Sequence, residues 1–175
     1  MKLVNLVRCW HERLFCLTRR DAVAQTASVP VKLVPVTEEN ADLVGTLRGA
    51  EYVSQFRQQL ALGDFGYYAC VGDEPVAYGW AKHPGSKDYF FRIGEGCCYL
   101  CRFFVHEKMR GKRIYPQLIC ALMARETDAE RFWIAVERGN EASERGLKKV
   151  GFTFVKEFSF FRVLGRTLNM HRLTP

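Results

Sequence analysis

No apolar run in this 175-residue chain approaches the roughly twenty residues that a membrane-spanning helix requires, so no spanning segment is expected. Internal repeats and low-complexity tracts are also missing, which excludes solenoids and linker-rich chains. There are only four histidines, and none completes a four-ligand set with the cysteines, so a metal is not expected. The seven cysteines are an odd number and give no even framework. A chain of this length does not depend on disulfide staples, and the plain reading is a reducing compartment. Arg8, His11, Glu12 and Arg13 break up the N-terminal apolar residues before a signal core can form, so a cytoplasmic protein is expected.

What is present suits one folded domain. Hydrophobic residues make up 48% and aromatic residues 13%, enough for a sizeable core and too much for intrinsic disorder. The net charge of +7 favours polyanionic ligands such as nucleic acid, an anionic membrane face or a phosphate-bearing cofactor. The Lys and Arg residues are dispersed, and no helix-turn-helix, zinc-finger or RNA-binding pattern appears, so nucleic acid is not the expected partner. Cys98 and Cys101 form a C-x-x-C within an apolar run that reads as a strand. Residues three apart on a strand point to opposite faces, so the pair is not expected to share a metal.

Leu3, Val7, Trp10, Leu14 and Leu17 recur at helical spacing among Lys2, Arg8, Arg13, Arg19 and Arg20. This predicts a basic amphipathic helix packed on the domain or on a second subunit, which leaves a homodimer open, rather than one lying on a membrane. Residues 1–30 are therefore read as a helix and connector, and residues 31–175 as the domain. Val31–Val36 is expected as a proline-bearing edge strand, and Thr37-Glu38-Glu39-Asn40 as the start of a helix reaching Leu47. A second helix covers Tyr52–Leu62. Tyr67–Val71 and Pro75–Ala81 flank Gly72-Asp73-Glu74 as a hairpin. Further strands are expected at 98–105, 131–136, 152–158 and within 160–173, with helices over Tyr115–Thr127 and Glu141–Val150. The order describes a mixed α/β sheet with helices on its faces.

Two segments carry chemistry. In the first, the strand Phe103-Phe104-Val105 runs through His106–Met109 into Arg110-Gly111-Lys112-Arg113-Ile114-Tyr115, a short basic turn opening a helix. Such a turn presents unpaired amides and the positive end of the helix dipole, which suits phosphate. It is neither a Walker A loop nor the three-glycine dinucleotide fingerprint. In the second, Asn140 follows a strand and caps a helix that Gly151-Phe152 ends.

Together, over residues 31–165, these segments resemble the GNAT superfamily of acyl-CoA-dependent N-acyltransferases. The resemblance implies a mostly antiparallel sheet of six to seven strands with a V-shaped splay, flanked by about four helices. It also implies acetyl-CoA as co-substrate and a primary amine as acceptor. The cofactor's pantetheine arm would pair with the backbone of Phe103, Phe104 and Val105. Its diphosphate would sit on Arg110, Gly111, Lys112, Arg113, Ile114 and Tyr115, and Asn140 and Ser143 match positions lining the reactive end. The turn departs from the family's [QR]-x-x-G-x-[GA] pattern, with Arg113 and Tyr115 where small residues normally stand. A positive-φ requirement at Arg113 would strain it.

Leu147 occupies the position where many relatives carry a tyrosine that protonates the departing thiolate; as a residue it reads as core. Tyr99 and Glu137 are the candidates for acid or base, Tyr99 because its strand parity places it with Cys101 and Phe103 on the acceptor side. His83 and His106 lie in loops near the cleft. The expected acceptor is a small-molecule amine, with an amino sugar of a surface-polysaccharide precursor as the specific suggestion. A protein or peptide amine, a CoA-binding module without catalysis, and a nucleic-acid-binding protein are the alternatives.

Overall fold

In a computed structural model, residues 7–82, 93–163 and 166–170 are described. Eight strands form one sheet: β1 (Val7–Thr18), β2 (Lys32–Pro35), β3 (Phe65–Val71), β4 (Glu74–Lys82), β5 (Cys97–Val105), β6 (Arg131–Glu137), β7 (Thr153–Val163) and β8 (Arg166–Met170). Their spatial order is β2-β3-β4-β5-β6-β1-β7-β8. Every neighbouring pair is antiparallel except β5–β6. Helices α1 (Leu43–Arg48) and α2 (Val53–Ala61) cover one face of the β2–β5 half. On the opposite face lie α3 (Ile114–Arg125) and α4 (Glu141–Val150), above a core that includes Phe15, Leu100, Phe132, Leu147 and Phe152. This mixed architecture with a mostly antiparallel sheet and four helices is the one the resemblance implies, but with eight strands in place of the expected six to seven, because residues 7–18 add a strand to the sheet.

The N-terminal helix is not formed, and residues 7–18 are instead a strand in the interior of the sheet. β1 lies between β6 and β7 and is antiparallel to both. Its apolar residues mislead because an interior strand is buried on both faces and loses the alternation that marks a surface strand. Leu14 is buried on one face, with Phe158 and Phe160, while Phe15 and Leu17 are buried on the other. The run Leu14-Phe15-Cys16-Leu17 thus satisfies a helical stripe and a two-sided strand equally well. Leu3 lies outside the described residues.

The connector after β1 is strapped across α3 and α4. Val23 N donates to Val150 O at 2.9 Å, Ser28 N to Lys112 O at 2.9 Å, and Ala27 N to Gln117 Oε1 at 3.0 Å. Arg13 of β1 also forms a close ion pair with the buried carboxylate of Glu144 on α4. The N-terminal segment is therefore part of the domain's packing rather than an appendage. Near the first helix the caps differ from expectation: Asn40 Oδ1 accepts Thr37 N at 2.9 Å in a turn, and α1 begins only at Leu43.

Candidate active site

The parallel pairing of β5 and β6 runs from Cys97–Arg131 to Leu100–Ile134 and stops there. Beyond it the two strands diverge, leaving Cys101–Val105 without that neighbour. A bulge accompanies the split. Between Trp80–Cys101 and Tyr78–Phe104 the β4–β5 register slips by one residue, and Arg102 adopts a left-handed φ of 53°. A non-glycine residue held there costs about 1–3 kcal/mol, and such strain clusters at functional sites.

The bulge changes which way the following side chains point. Cys101 and Phe104 pack with Tyr78 and Trp80 on the α1–α2 face, whereas Phe103 and Val105 turn toward α3. The Phe103 ring lies over Gly79, where an added Cβ would come within 2.3 Å of it. The same ring meets Tyr115 edge-on, with centroids 4.9 Å apart. Tyr115 in turn rests against Gly146 of α4, where a Cβ would sit 2.7 Å from the tyrosine ring.

The gap opens into a cleft of about 610 Å³. Its walls include Phe103, Phe104 and Val105 from β5 and Ile134–Glu137 from β6. At one end stand Arg110, Gly111, Arg113, Ile114 and Tyr115, and at the side Asn140 and Ser143. Among the described residues, no backbone acceptor meets the amides of Gly111, Lys112, Arg113, Ile114 or Tyr115; the first bond of α3 is Gln117 N to Arg113 O at 3.2 Å. Gly111 and Arg113 both have positive φ, 78° and 59°. The strain expected at Arg113 is thus present. Asn140 caps α4 as expected, its Oδ1 accepting Ser143 N at 3.2 Å.

The lining is strongly basic. Arg102, Arg110, Arg113, Arg145 and Lys149 face Glu137 as the one acidic lining residue. A free row of amides, a helix N-terminus and this excess of cations fit a diphosphate, and the unpaired flank of β5 fits an extended amide-bearing arm. Arg145 and Lys149 were missed from sequence. With Ala142 and Gly146 they occupy spacings of three and four residues along one face of α4, a signal readable once that helix is placed beside the turn.

Two expected site residues sit elsewhere. Tyr99 is 4% exposed, lies below the split opposite Trp133, and is not part of the cleft wall. Its supposed alignment with Phe103 fails because the bulge at Arg102 resets the parity of β5. Lys112 contributes backbone to the turn, but its Nζ reaches Met109 Sδ at 3.5 Å and its side chain does not line the cleft. His106 caps the short 3-10 turn after β5, its Nδ1 accepting Lys108 N at 3.4 Å; His83 lies outside the described residues. Leu147 is fully buried in the core, as its residue type suggests. Cys98 is buried on the α3–α4 face and Cys101 lines the cleft from the other, so the C-x-x-C holds no shared site. No metal-ligating cluster occurs among the described residues, and no described helix is long and apolar enough to cross a membrane.

The chain belongs to the GNAT acetyltransferase family, whose model matches residues 30–152. Solved structures of this fold accompany it at low identity. A Drosophila protein superposes with a TM-score of 0.66 at 16% identity, over 91% of this chain and 52% of that one. An acetyltransferase from Thermus thermophilus has a TM-score of 0.60 at 20% identity, over 79% of this chain and all of its own. AAC(6')-Iy, solved with the bisubstrate analogue CoA-S-monomethyl-acetylneamine, has a TM-score of 0.60 at 12% identity, over 71% of this chain and 92% of that one. The chain thus spans about half of the Drosophila relative's length. No match is found among curated proteins.

Proposed function

We propose that this protein transfers an acetyl group from acetyl-CoA to the primary amine of a small molecule, by direct attack within a ternary complex. The observation that carries the reading is the end of β5–β6 pairing at Leu100–Ile134, which opens a basic-lined cleft running to the free amides of residues 111–115. In this reading the backbone of Phe103–Val105 pairs with the pantetheine arm as an added strand would. The amides of residues 111–115 hold the diphosphate, with Arg110 and Arg113 adding charge. Asn140 and Ser143 stand beside the reactive end.

Acetyl-CoA supplies a thioester: the acceptor nitrogen bonds to its carbonyl carbon, the carbon–sulfur bond breaks, and sulfur leaves with the electron pair. The chain's part is orientation, exclusion of water and movement of one proton. In this reading Glu137, which lines the cleft at the exposed end of β6, takes the proton of the attacking amine, directly or through water. With Leu147 in the core, no tyrosine on α4 is available to protonate the thiolate. Tyr99 is retained as a supporting residue beneath the split rather than as a group touching substrate. The acceptor we propose is an amino sugar of a surface-polysaccharide precursor.

Acetyl-CoA should raise the melting temperature, because it binds only the folded state. Arg110→Glu should abolish most of that rise by placing a carboxylate beside the diphosphate. An unchanged melting temperature at millimolar acetyl-CoA would remove the reading.

A further inference from the structure

The cleft passes between two strands, so it opens on both faces of the sheet. The turn at 110–115 lies with α3 on one face. On the other face, under α1 and α2, the wall from β5 is Cys101 and Phe104. Tyr99 of β5 pairs with Trp133 of β6, so Ala135 and Glu137, two and four residues further along, point to this second face as well.

Two guanidinium groups stand at this second mouth, and no described carboxylate, Glu51 included, pairs with either of them. Arg102 lines the cleft at the bulge. Arg48, at the end of α1, meets the lining ring of Phe104 from the rim, its Cζ 4.8 Å from the ring centre. Arg48 is held there. It donates to the hydroxyl of Tyr78 at 3.1 Å and to that of Tyr52 at 2.7 Å, and its Cζ lies 4.0 Å from the Tyr52 ring centre. Tyr78 in turn stacks on Phe104 at 5.8 Å. Burial pushes the Tyr78 phenol above its ordinary value of 10.0, and the charges of Arg48 and Arg102 both oppose that rise, so the two cations surround one hydroxyl. Other cations on this side are neutralised, Arg57 by Asp42 and Lys82 by Asp64, each at 3.0 Å.

We propose that Arg102 on the cleft wall and Arg48 at its rim hold an oxyanion carried by the acceptor, so that the preferred amine also bears a carboxylate or a phosphate. The proposal rests on the acyltransferase reading and names the acceptor's second charge. A guanidinium presents five N–H donors in a planar fork, and Arg48 uses two of them on the phenols. The rest, on a side chain already ordered by its ring and hydroxyl contacts, match the oxygens of a carboxylate or phosphate. The acceptor's ammonium end is drawn to Glu137 and its anionic end to the arginines, an orientation that a simple alkylamine lacks. The acceptor then enters from the α1–α2 face while the cofactor's phosphates sit on the α3 face, which keeps the two anions on opposite sides of the sheet.

The test follows the melting temperature of the full chain, saturated with CoA, during titration with paired amines: 5-aminopentanoate and pentylamine, O-phosphoethanolamine and ethanolamine, glucosamine 6-phosphate and glucosamine. At least one oxyanion-bearing amine should bind about tenfold more tightly than the member of its pair that lacks the oxyanion, the gain expected of one charge-assisted contact. Response of the carboxylate pair or of the phosphate pairs identifies the oxyanion. Arg48→Gln and Arg102→Gln should each remove the preference and leave the weaker member's affinity unchanged. Arg48→Lys keeps the charge but loses the fork and should retain part of it. With acetyl-CoA as co-substrate the same losses should appear in KM rather than kcat. A purely structural Arg48 would weaken both members of a pair equally. The melting rise with acetyl-CoA alone should be the same in Arg48→Gln as in the parent. If no pair shows the preference, or if either glutamine variant keeps it in full, the proposal is overturned although acetyl-CoA still stabilises the protein. Absence of the acetyl-CoA response in the parent chain would instead overturn the acyltransferase reading.

Discussion

The ring of Phe103 stands edge-on to that of Tyr115, 4.9 Å between centroids, and each ring covers a glycine, Gly79 or Gly146. This contact joins the bulged strand to the first turn of α3 and thereby fixes the distance between the two ends of the cleft. Gly79→Ala should cost about 1–3 kcal/mol, the usual range for overpacking, because its Cβ would overlap the Phe103 ring. Combining it with Phe103→Ala should cost less than the two single losses added together. Urea unfolding of the four proteins of the cycle measures the coupling, and additive losses would show that the ring does not fill the glycine's space.

Arg113 stands at φ 59° and ψ 18° immediately before α3. Arg113→Gly should relieve about 1 kcal/mol of left-handed strain and raise the melting temperature of the free protein. The same change removes a cation from the cleft and should weaken acetyl-CoA binding. Arg113→Ala keeps the strain and loses the charge, so it should weaken binding without the gain in stability. Calorimetry of free and acetyl-CoA-bound forms separates the two contributions.

Much of this layout was legible in the sequence where the local signals were unambiguous. Gly72-Asp73 marks the β3–β4 hairpin, Asn140 and Gly151 bracket α4, and the basic turn at 110–115 announces a helix start. The strand β1 was not legible, because Leu14, Phe15 and Leu17 are buried on both faces and their spacing imitates a helix. The bulge at Arg102 was equally hidden: arginine carries no signal for positive φ, and one inserted residue reverses the orientation of every side chain after it. Tyr99 was misaligned with Phe103 for that reason alone. Arg145 and Lys149 became visible only when α4 was set beside the turn.

The interior position of β1 makes a strong demand on stability. Phe15 is fully buried between β6 and β7. Phe15→Ala should cost about 3–5 kcal/mol, as large-to-small changes of aromatic residues in cores do. Deleting residues 1–20 should leave a chain that does not fold cooperatively, because it strips β6 and β7 of their shared neighbour. A truncated protein with an unaltered melting transition would show that the sheet closes without β1.

Several buried groups make the fold sensitive to alkali. Burial pushes the Cys98 thiol and the Tyr68 and Tyr115 phenols well above their ordinary values of 9.0 and 10.0. Each is neutral when protonated, and the folded chain holds its proton at a pH where the unfolded chain releases it. The stability they confer is therefore complete below about pH 9 and falls as pH rises from there toward the folded-state values. Chemical unfolding measured from pH 8 to 11 should show this decline, and Cys98→Ala should make it shallower.

The chemical step should proceed without an acyl-cysteine. A cysteine nucleophile needs a neighbouring base or cation to become a thiolate. Cys101 is the one thiol among the cleft's lining residues. Neither described histidine is placed to help it: His11 Nδ1 is 2.9 Å from Ser159 Oγ, and His106 caps the turn after β5. Cys101 also packs among Tyr78, Trp80 and Phe104. Cys101→Ala should therefore cost less than about threefold in kcat, below the 10²–10⁴-fold contribution of a working acid or base. Glu137→Gln should cost more, and most at low pH, where the acceptor is an ammonium that must lose its proton before it attacks. Direct transfer predicts intersecting initial-rate lines when both substrates are varied. Parallel lines, together with an acetylated Cys101 peptide in the mass spectrum, would establish a double-displacement route and remove Glu137 from its assigned role.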